Sequence, residues 1–220
     1  MSLTVGSLFS GVGGLDLGFD AAGWETRWQV EVDERCRSVL ARRWPEVPRY
    51  ADVRDVNGRE LPPVDCITYG FPCQDLSVAG NRAGLDGTRS GLFFEAIRII
   101  REMREATDGR YPTWAVAENV AGLLSADNGD AMGRCLDALA DIGAVGIEWA
   151  VLDAQHFGVP QRRRRVFIVA GFDSRILRAD PVFPVATRCQ RHSQAGEEAG
   201  SGVAGSVAGR AHPVSGGGSE

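Results

Sequence analysis

The first thirty residues constrain the fold more than any other stretch. Residues 3–9 form an apolar run that reads as a short buried strand. It gives way to Phe9-Ser10-Gly11-Val12-Gly13-Gly14 and then to a helix expected over residues 15–22. Glycines let the backbone approach a ligand closely, and a helix start offers unpaired amide groups. A second strand, expected over residues 26–32, carries Glu31 near its tip. An acid roughly 20 residues past such glycines is placed to bind ribose hydroxyls. The loop alone would equally suit a tight turn, and the acid alone a solvated strand end. Together they favour an adenosine-containing cofactor.

The chain then continues in the same rhythm. A helix is expected over residues 33–44, with Cys36 read as packing, and Pro45 and Pro48 ending it. Asp52 precedes Val53 at the end of a short third strand, where it either accepts the adenine amino group or forms a turn. Residues 64–69 form a fourth strand that delivers Gly70-Phe71-Pro72-Cys73-Gln74. A thiol at a strand end, followed by a glycine-punctuated polar segment to Gly91, is a candidate nucleophile. The alternative is a small buried cysteine that fills space.

Further on, helices are expected over residues 92–103 and 129–142, the second with Met132, Leu136, Leu139 and Ile142 at helical spacing. Residues 114–117 form a strand that runs into Glu118-Asn119-Val120. Strands at residues 147–152 and 165–170 are joined by the short turn 155–161, which fits an antiparallel pair at a sheet edge. Beyond about residue 183 the composition shifts to Gly, Ser and Ala. Residues 186–220 are expected to be a disordered tail, with no metal site at Cys189, His192 or His212.

The net charge of −5 gives no global basic field, so a polyanion would have to be held by a local patch. Five dispersed cysteines and three histidines form no CxxC pair and no metal-ligand cluster, which suits reduced thiols in a cytoplasm. No span approaches membrane length, so a soluble cytoplasmic protein is expected.

Three segments in fixed order add the decisive pattern: Gly70-Phe71-Pro72-Cys73-Gln74, then Glu118-Asn119-Val120, then Gln161-Arg162-Arg163-Arg164-Arg165. Behind the N-terminal FxGxGG, this series resembles the cytosine-5 DNA methyltransferase family over residues 3–172. The resemblance implies a class I methyltransferase fold, a mostly parallel doubly wound α/β sheet with an antiparallel edge pair. It implies S-adenosyl-L-methionine as cofactor and a bacterial or phage origin. Phe9, Gly11, Gly13 and Gly14 would line the methionine side, Glu31 would hold the ribose, and Asp52 would bind the adenine amine. Val32 would form part of the adenine wall, and Pro72 joins the cofactor residues. Residues 1–185 would be the catalytic domain.

The chemistry explains the residue types. Cytosine carbon 5 is a poor nucleophile until a thiolate adds at carbon 6 and breaks the aromaticity. Cys73 is expected to supply that thiolate. Glu118 would neutralise the charge pushed onto ring nitrogen 3, and works best if burial raises its pKa. Asn119 would hold the adjoining backbone. Arg163 and Arg165, two apart on a strand approach, would point into the site together, while Arg162 and Arg164 face DNA phosphates or solvent. The base must be flipped out of double-stranded DNA, with residues 74–91 as a lid.

Full members of the family continue with a target-recognition domain and a closing GNSV-like helix, and neither is present in this sequence. The chain is therefore expected to be truncated, or one half of a split enzyme whose second polypeptide supplies those parts. The competing readings are a non-enzymatic remnant or regulatory binder and an RNA cytosine-5 methyltransferase.

Overall fold

β1 (Thr4–Leu8) leads through the glycine turn into α1 (Gly14–Ala21), β2 (Glu25–Val30), α2 (Glu34–Arg43) and the two-residue β3 (Arg49–Tyr50). Then follow β4 (Cys66–Gly70), α3 (Leu92–Ala106), β5 (Trp114–Val120), α4 (Asp130–Asp141), β6 (Gly146–Asp153) and β7 (Arg164–Gly171). This is a computed structural model that describes residues 2–72, 91–174 and 182–183. Cys73, all of the expected lid at residues 74–91 except Gly91, and the expected tail with Cys189, His192 and His212 lie outside the described residues.

The strands form one sheet in the order β3-β2-β1-β4-β5-β7-β6. β1 pairs in parallel with both β2 and β4, and β4 with β5, whereas β7 runs antiparallel to β5 and β6. The short β6–β7 connection dictates that antiparallel pair, because a parallel neighbour needs a long crossover. The sheet is thus of the mostly parallel doubly wound kind with an antiparallel edge pair. The chain winds outward from β1 in one direction and from β4 in the other. A ligand crevice in such a sheet opens at that switch point, outside the carboxyl ends of the two strands.

Side-chain alternation assigns the faces. Leu8 joins Trp28, Val30, Ile67, Tyr69, Ile168 and the apolar stripes of α3 and α4 in the main core. Its neighbour Ser7 points to the other face, where it meets Asp16 of α1. α3 buries Phe93, Ala96, Ile97, Ile99, Ile100 and Met103, the 3.6-residue stripe that its sequence carries. α2 is capped by Asp33, whose carboxylate accepts from the amides of Arg35 and Cys36, and Arg42 and Arg43 sit in its last turn, where they suit the helix dipole. A side chain on Gly6 would place its Cβ 2.1 Å from the Trp28 ring, so glycine is required beneath that indole.

Two boundaries differ from expectation. β2 stops at Val30, one residue short of Glu31, and β3 ends before Asp52. Asp52 instead caps the 3-10 turn Val53–Asp55, accepting from the Arg54 amide. The short polar side chain competes for local backbone donors, which ends the strand. Cys36, expected as packing, is half-buried on α2.

Candidate active site

A cavity of about 540 Å³ lies along the carboxyl ends of β1, β4 and β5 and the start of β7. Its lining includes Ser7, Phe9, Gly11 and Gly14 at one end and Glu118, Arg163, Arg165 and Phe167 at the other, with Gly70 among them.

The glycine loop is built for close approach. Phe9, Gly11 and Gly13 all have positive φ, at 54°, 56° and 85°. For Phe9 that is an uncommon backbone region, held here at the edge of the cavity. A Cβ on Gly11 or Gly14 would meet nothing within 4 Å, so both glycines face open space. Gly13 is different: its Cβ would stand 2.5 Å from the Trp44 ring and 3.0 Å from Leu40. Trp44, at the end of α2, therefore supports the loop from beneath, and its indole Nε1 donates to Asp20 of α1 at 2.7 Å. Gly13→Ala is expected to destabilise the fold by about 2–4 kcal/mol, from a left-handed backbone plus an overpacked ring. Urea unfolding measures this, and an unchanged midpoint would remove Trp44 as the loop's support.

Glu31 is buried and clamped. One carboxylate oxygen accepts from the Gly11 amide at 2.6 Å and the other from the Asp33 amide at 2.8 Å. It thereby locks the glycine loop to the start of α2. An ionised carboxylate retains further lone pairs for a ligand hydroxyl. Val32 is 68% exposed beside it. Asp52 is paired with Arg54, whose guanidinium hydrogen bonds, with those of the Arg54 amide, hold its carboxyl well below the usual range, at about 2. Gly13, Glu31, Val32, Asp52 and the exposed Pro72 are not among the residues lining the cavity.

The other end gathers the polar groups. Gly70 pairs in register with Glu118, and a Cβ there would lie 3.4 Å from the Glu118 Oε2 atom. Glu118 is half-buried, and its Oε1 receives the Arg165 Nε at 2.8 Å. Arg163 lines the same cavity, so the two arginines do share a side; Arg162 and Arg164 are exposed and absent from the lining. Asn119 donates through Nδ2 to the Phe71 carbonyl at 2.8 Å and accepts from the Val120 amide, tying β5 to the backbone two residues before Cys73. Cys36, Cys66 and Cys135 are all outside the lining, and burial pushes the Cys66 thiol up, away from thiolate.

Three supporting residues escaped sequence reasoning. Asp153, at the end of β6, accepts from the amides of Gln155 and Arg163 and so sets the turn that presents Arg163. Burial pushes its carboxyl up, but hydrogen bonds from the Arg163 and Gln155 amides, with the nearby His156 and Arg162, together hold it low. An acid at a strand end before a turn was the available signal. Trp44 and Asp16 offered none, because their roles exist only once helices pack on strands.

Residues 3–194 match the family described as C-5 cytosine-specific DNA methylase. The chain belongs to that family. It is 40% identical over 170 residues to the type II methyltransferase M2.BsuMI of Bacillus subtilis, covering 76% of this chain and 42% of that one. It is 37% identical over 179 residues to the type II methyltransferase M.AquIA of a Picosynechococcus strain, covering 74% of this chain and 69% of that one. Against M.Bsp6I of a Bacillus strain, at 37% identity, it spans 51% of the relative's length. The chain thus spans about half the length of several curated relatives.

A solved E. coli structure described as a prophage-encoded DNA modification methyltransferase superposes with a TM-score of 0.64 at 28% identity, covering 82% of this chain and 49% of that one. The S. pombe Dnmt2 structure, at 16% identity and a TM-score of 0.59, shares the fold. Among the described residues of this methylase-family chain, no helix is long and apolar enough to cross a membrane, and no group of three or more metal-ligating side chains occurs.

Proposed function

We propose that this chain carries the catalytic region of a DNA (cytosine-5-)-methyltransferase that uses S-adenosyl-L-methionine. The observation that carries the reading is the Glu118–Arg165 pair, 2.8 Å apart, in one cavity with the glycine loop and beside the strand that leads to Cys73. The residues fit the cofactor: the glycines at 11 and 14 leave open space, and the cavity volume of about 540 Å³ suits a ligand of that size. Phe9, Gly11, Gly13 and Gly14 hold its methionine end, Glu31 its ribose, and Val32, Asp52 and Pro72 the adenine side. The bound cofactor supplies an electrophilic methyl group.

The protein's own groups do the remaining work. Cys73 forms a bond to carbon 6 of an everted cytosine and later leaves it. Glu118 holds a proton at ring nitrogen 3 as charge builds there. Arg165 fixes the Glu118 carboxyl, and Arg163, set by Asp153, reaches the base oxygen or the target phosphate. Double-stranded DNA is the substrate.

A transfer assay with tritiated S-adenosylmethionine tests the reading, using duplex DNA and tRNA in parallel, with and without any polypeptide encoded beside this one. Label in duplex DNA is the expected result. Folded protein that labels nothing under any condition would overturn it, and label confined to tRNA would replace DNA by RNA as the substrate.

A further inference from the structure

One side chain on α3 reaches both ends of the turn that Asp52 caps. Asp52 lies two residues past Tyr50, whose carbonyl accepts from the Glu31 amide at 3.0 Å, so it stands close to the proposed ribose acid. Its carboxylate takes hydrogen bonds from Arg54, inside the same Val53–Asp55 turn. Whatever fixes that turn to the fold therefore fixes the carboxylate. The side chains of Val53 and Val56 are buried in the main core. The polar anchor is Arg98, whose Nη2 donates to the Val53 carbonyl at 3.0 Å and whose Nη1 donates to the Val56 carbonyl at 2.9 Å.

The same guanidinium is gripped on its own helix. Its Nε donates to Glu95, one turn back, at 2.8 Å, and its Nη1 to Glu102, one turn ahead, at 2.9 Å. Glu102 also accepts from the Gly58 amide at 2.8 Å, so the chain just after the turn is tied to the same carboxylate. Gly58 lies so close to α3 that a Cβ there would stand 2.4 Å from the Ile99 carbonyl oxygen. Sequence spacing alone reads Glu95, Arg98 and Glu102 as ordinary pairs along a solvated helix face. Such pairs need no partner off the helix. Here two donors leave the helix for main-chain oxygens 42 and 45 residues earlier. A planar fork with five donors can meet two carboxylates and two carbonyls at once; a lysine ammonium, with three, cannot.

We infer that Arg98 is a positioning residue for adenine recognition: by fixing both ends of the Val53–Asp55 turn, it aims the Asp52 carboxylate at the exocyclic amine. The inference rests on the cofactor reading above and deepens it. A carboxylate accepts from the amine of adenine and repels the carbonyl oxygen that replaces this amine in hypoxanthine. Discrimination between the two bases therefore reports where Asp52 points, and Arg98 acts on it without touching the base.

Calorimetric titration with S-adenosylhomocysteine and its deaminated analogue S-inosylhomocysteine measures that discrimination. Wild-type protein is expected to prefer the adenine ligand by about tenfold or more, as for a hydrogen bond to a charged group. Asp52→Asn should abolish the preference, because a side-chain amide can also donate to the carbonyl. Arg98→Ala should lower the ratio of the two affinities by about fivefold, with affinity for the inosine ligand little changed. If Arg98→Ala does not fold, Arg98→Lys, which keeps the charge but not the fork, takes its place with the same expectation. A merely structural role would lower both affinities together and leave the ratio at its wild-type value, and that result overturns the inference. Wild-type protein that bound both ligands equally, or a preference that survived Asp52→Asn, would remove Asp52 as the adenine acceptor and the role of Arg98 with it. Wild-type protein that bound neither ligand would overturn the cofactor reading itself.

Discussion

Cys73→Ser is expected to lower methyl transfer by roughly 10³-fold or more while leaving cofactor affinity nearly unchanged. A hydroxyl is far less acidic than a thiol and a much poorer nucleophile toward carbon 6, so the step that breaks the ring's aromaticity is lost. The three described cysteines offer no substitute: Cys66 and Cys135 are buried, and Cys36 sits on α2 outside the cavity. Glu31→Ala should show the converse, because Glu31 clamps the Gly11 and Asp33 amides and not the reacting base. Cofactor affinity falls first, and turnover at saturating cofactor falls less. Measured together, the two variants separate chemistry from binding. Equal loss of turnover and cofactor affinity in Cys73→Ser would assign that residue to the pocket's structure instead.

Glu118→Gln is the second large effect, an expected fall in turnover of about 10²–10⁴-fold, the range for removing a positioned proton donor. Glutamine keeps the shape and a hydrogen-bond acceptor for Arg165, so what it removes is the titratable proton. The stability cost should be small. The Glu118 and Arg165 side chains are 25% and 22% exposed, and a partly solvated pair of this kind contributes on the order of 1 kcal/mol or less. Single-turnover kinetics and a thermal melt of the same variant give the comparison. Full activity in Glu118→Gln would remove the carboxyl from the chemistry and leave it as an anchor for Arg165.

How much of this was legible beforehand follows from the range of the forces involved. The order of strands and helices, the glycine loop, the acid beyond β2 and the series around Cys73, Glu118 and Arg163 are all local patterns. They depend on side-chain periodicity, backbone freedom and the spacing of reactive residues, so a one-dimensional string carries them. The antiparallel edge pair was readable for the same reason, because the ten residues between β6 and β7 fall short of the dozen or so that a parallel crossover needs. Asp52 marks where local reading stayed open: adenine contact and turn-former suit the same residue, and the hydrogen bonds to Arg54 show the turn.

What the linear order could not contain is which residues meet across elements. Arg165 reaches Glu118 because β7 inserts between β5 and β6, a register set by packing of the whole sheet. Trp44 lies under Gly13, Asp153 holds the Arg163 amide, and Asp16 draws its two donors from β1 and β2. Each of these contacts has meaning only after apolar faces have buried one another and brought distant backbone together. The chain's identity as a cytosine methylase relative was written in its residues; the meeting of Glu118 with Arg165 in one cavity was decided by how helices and strands pack.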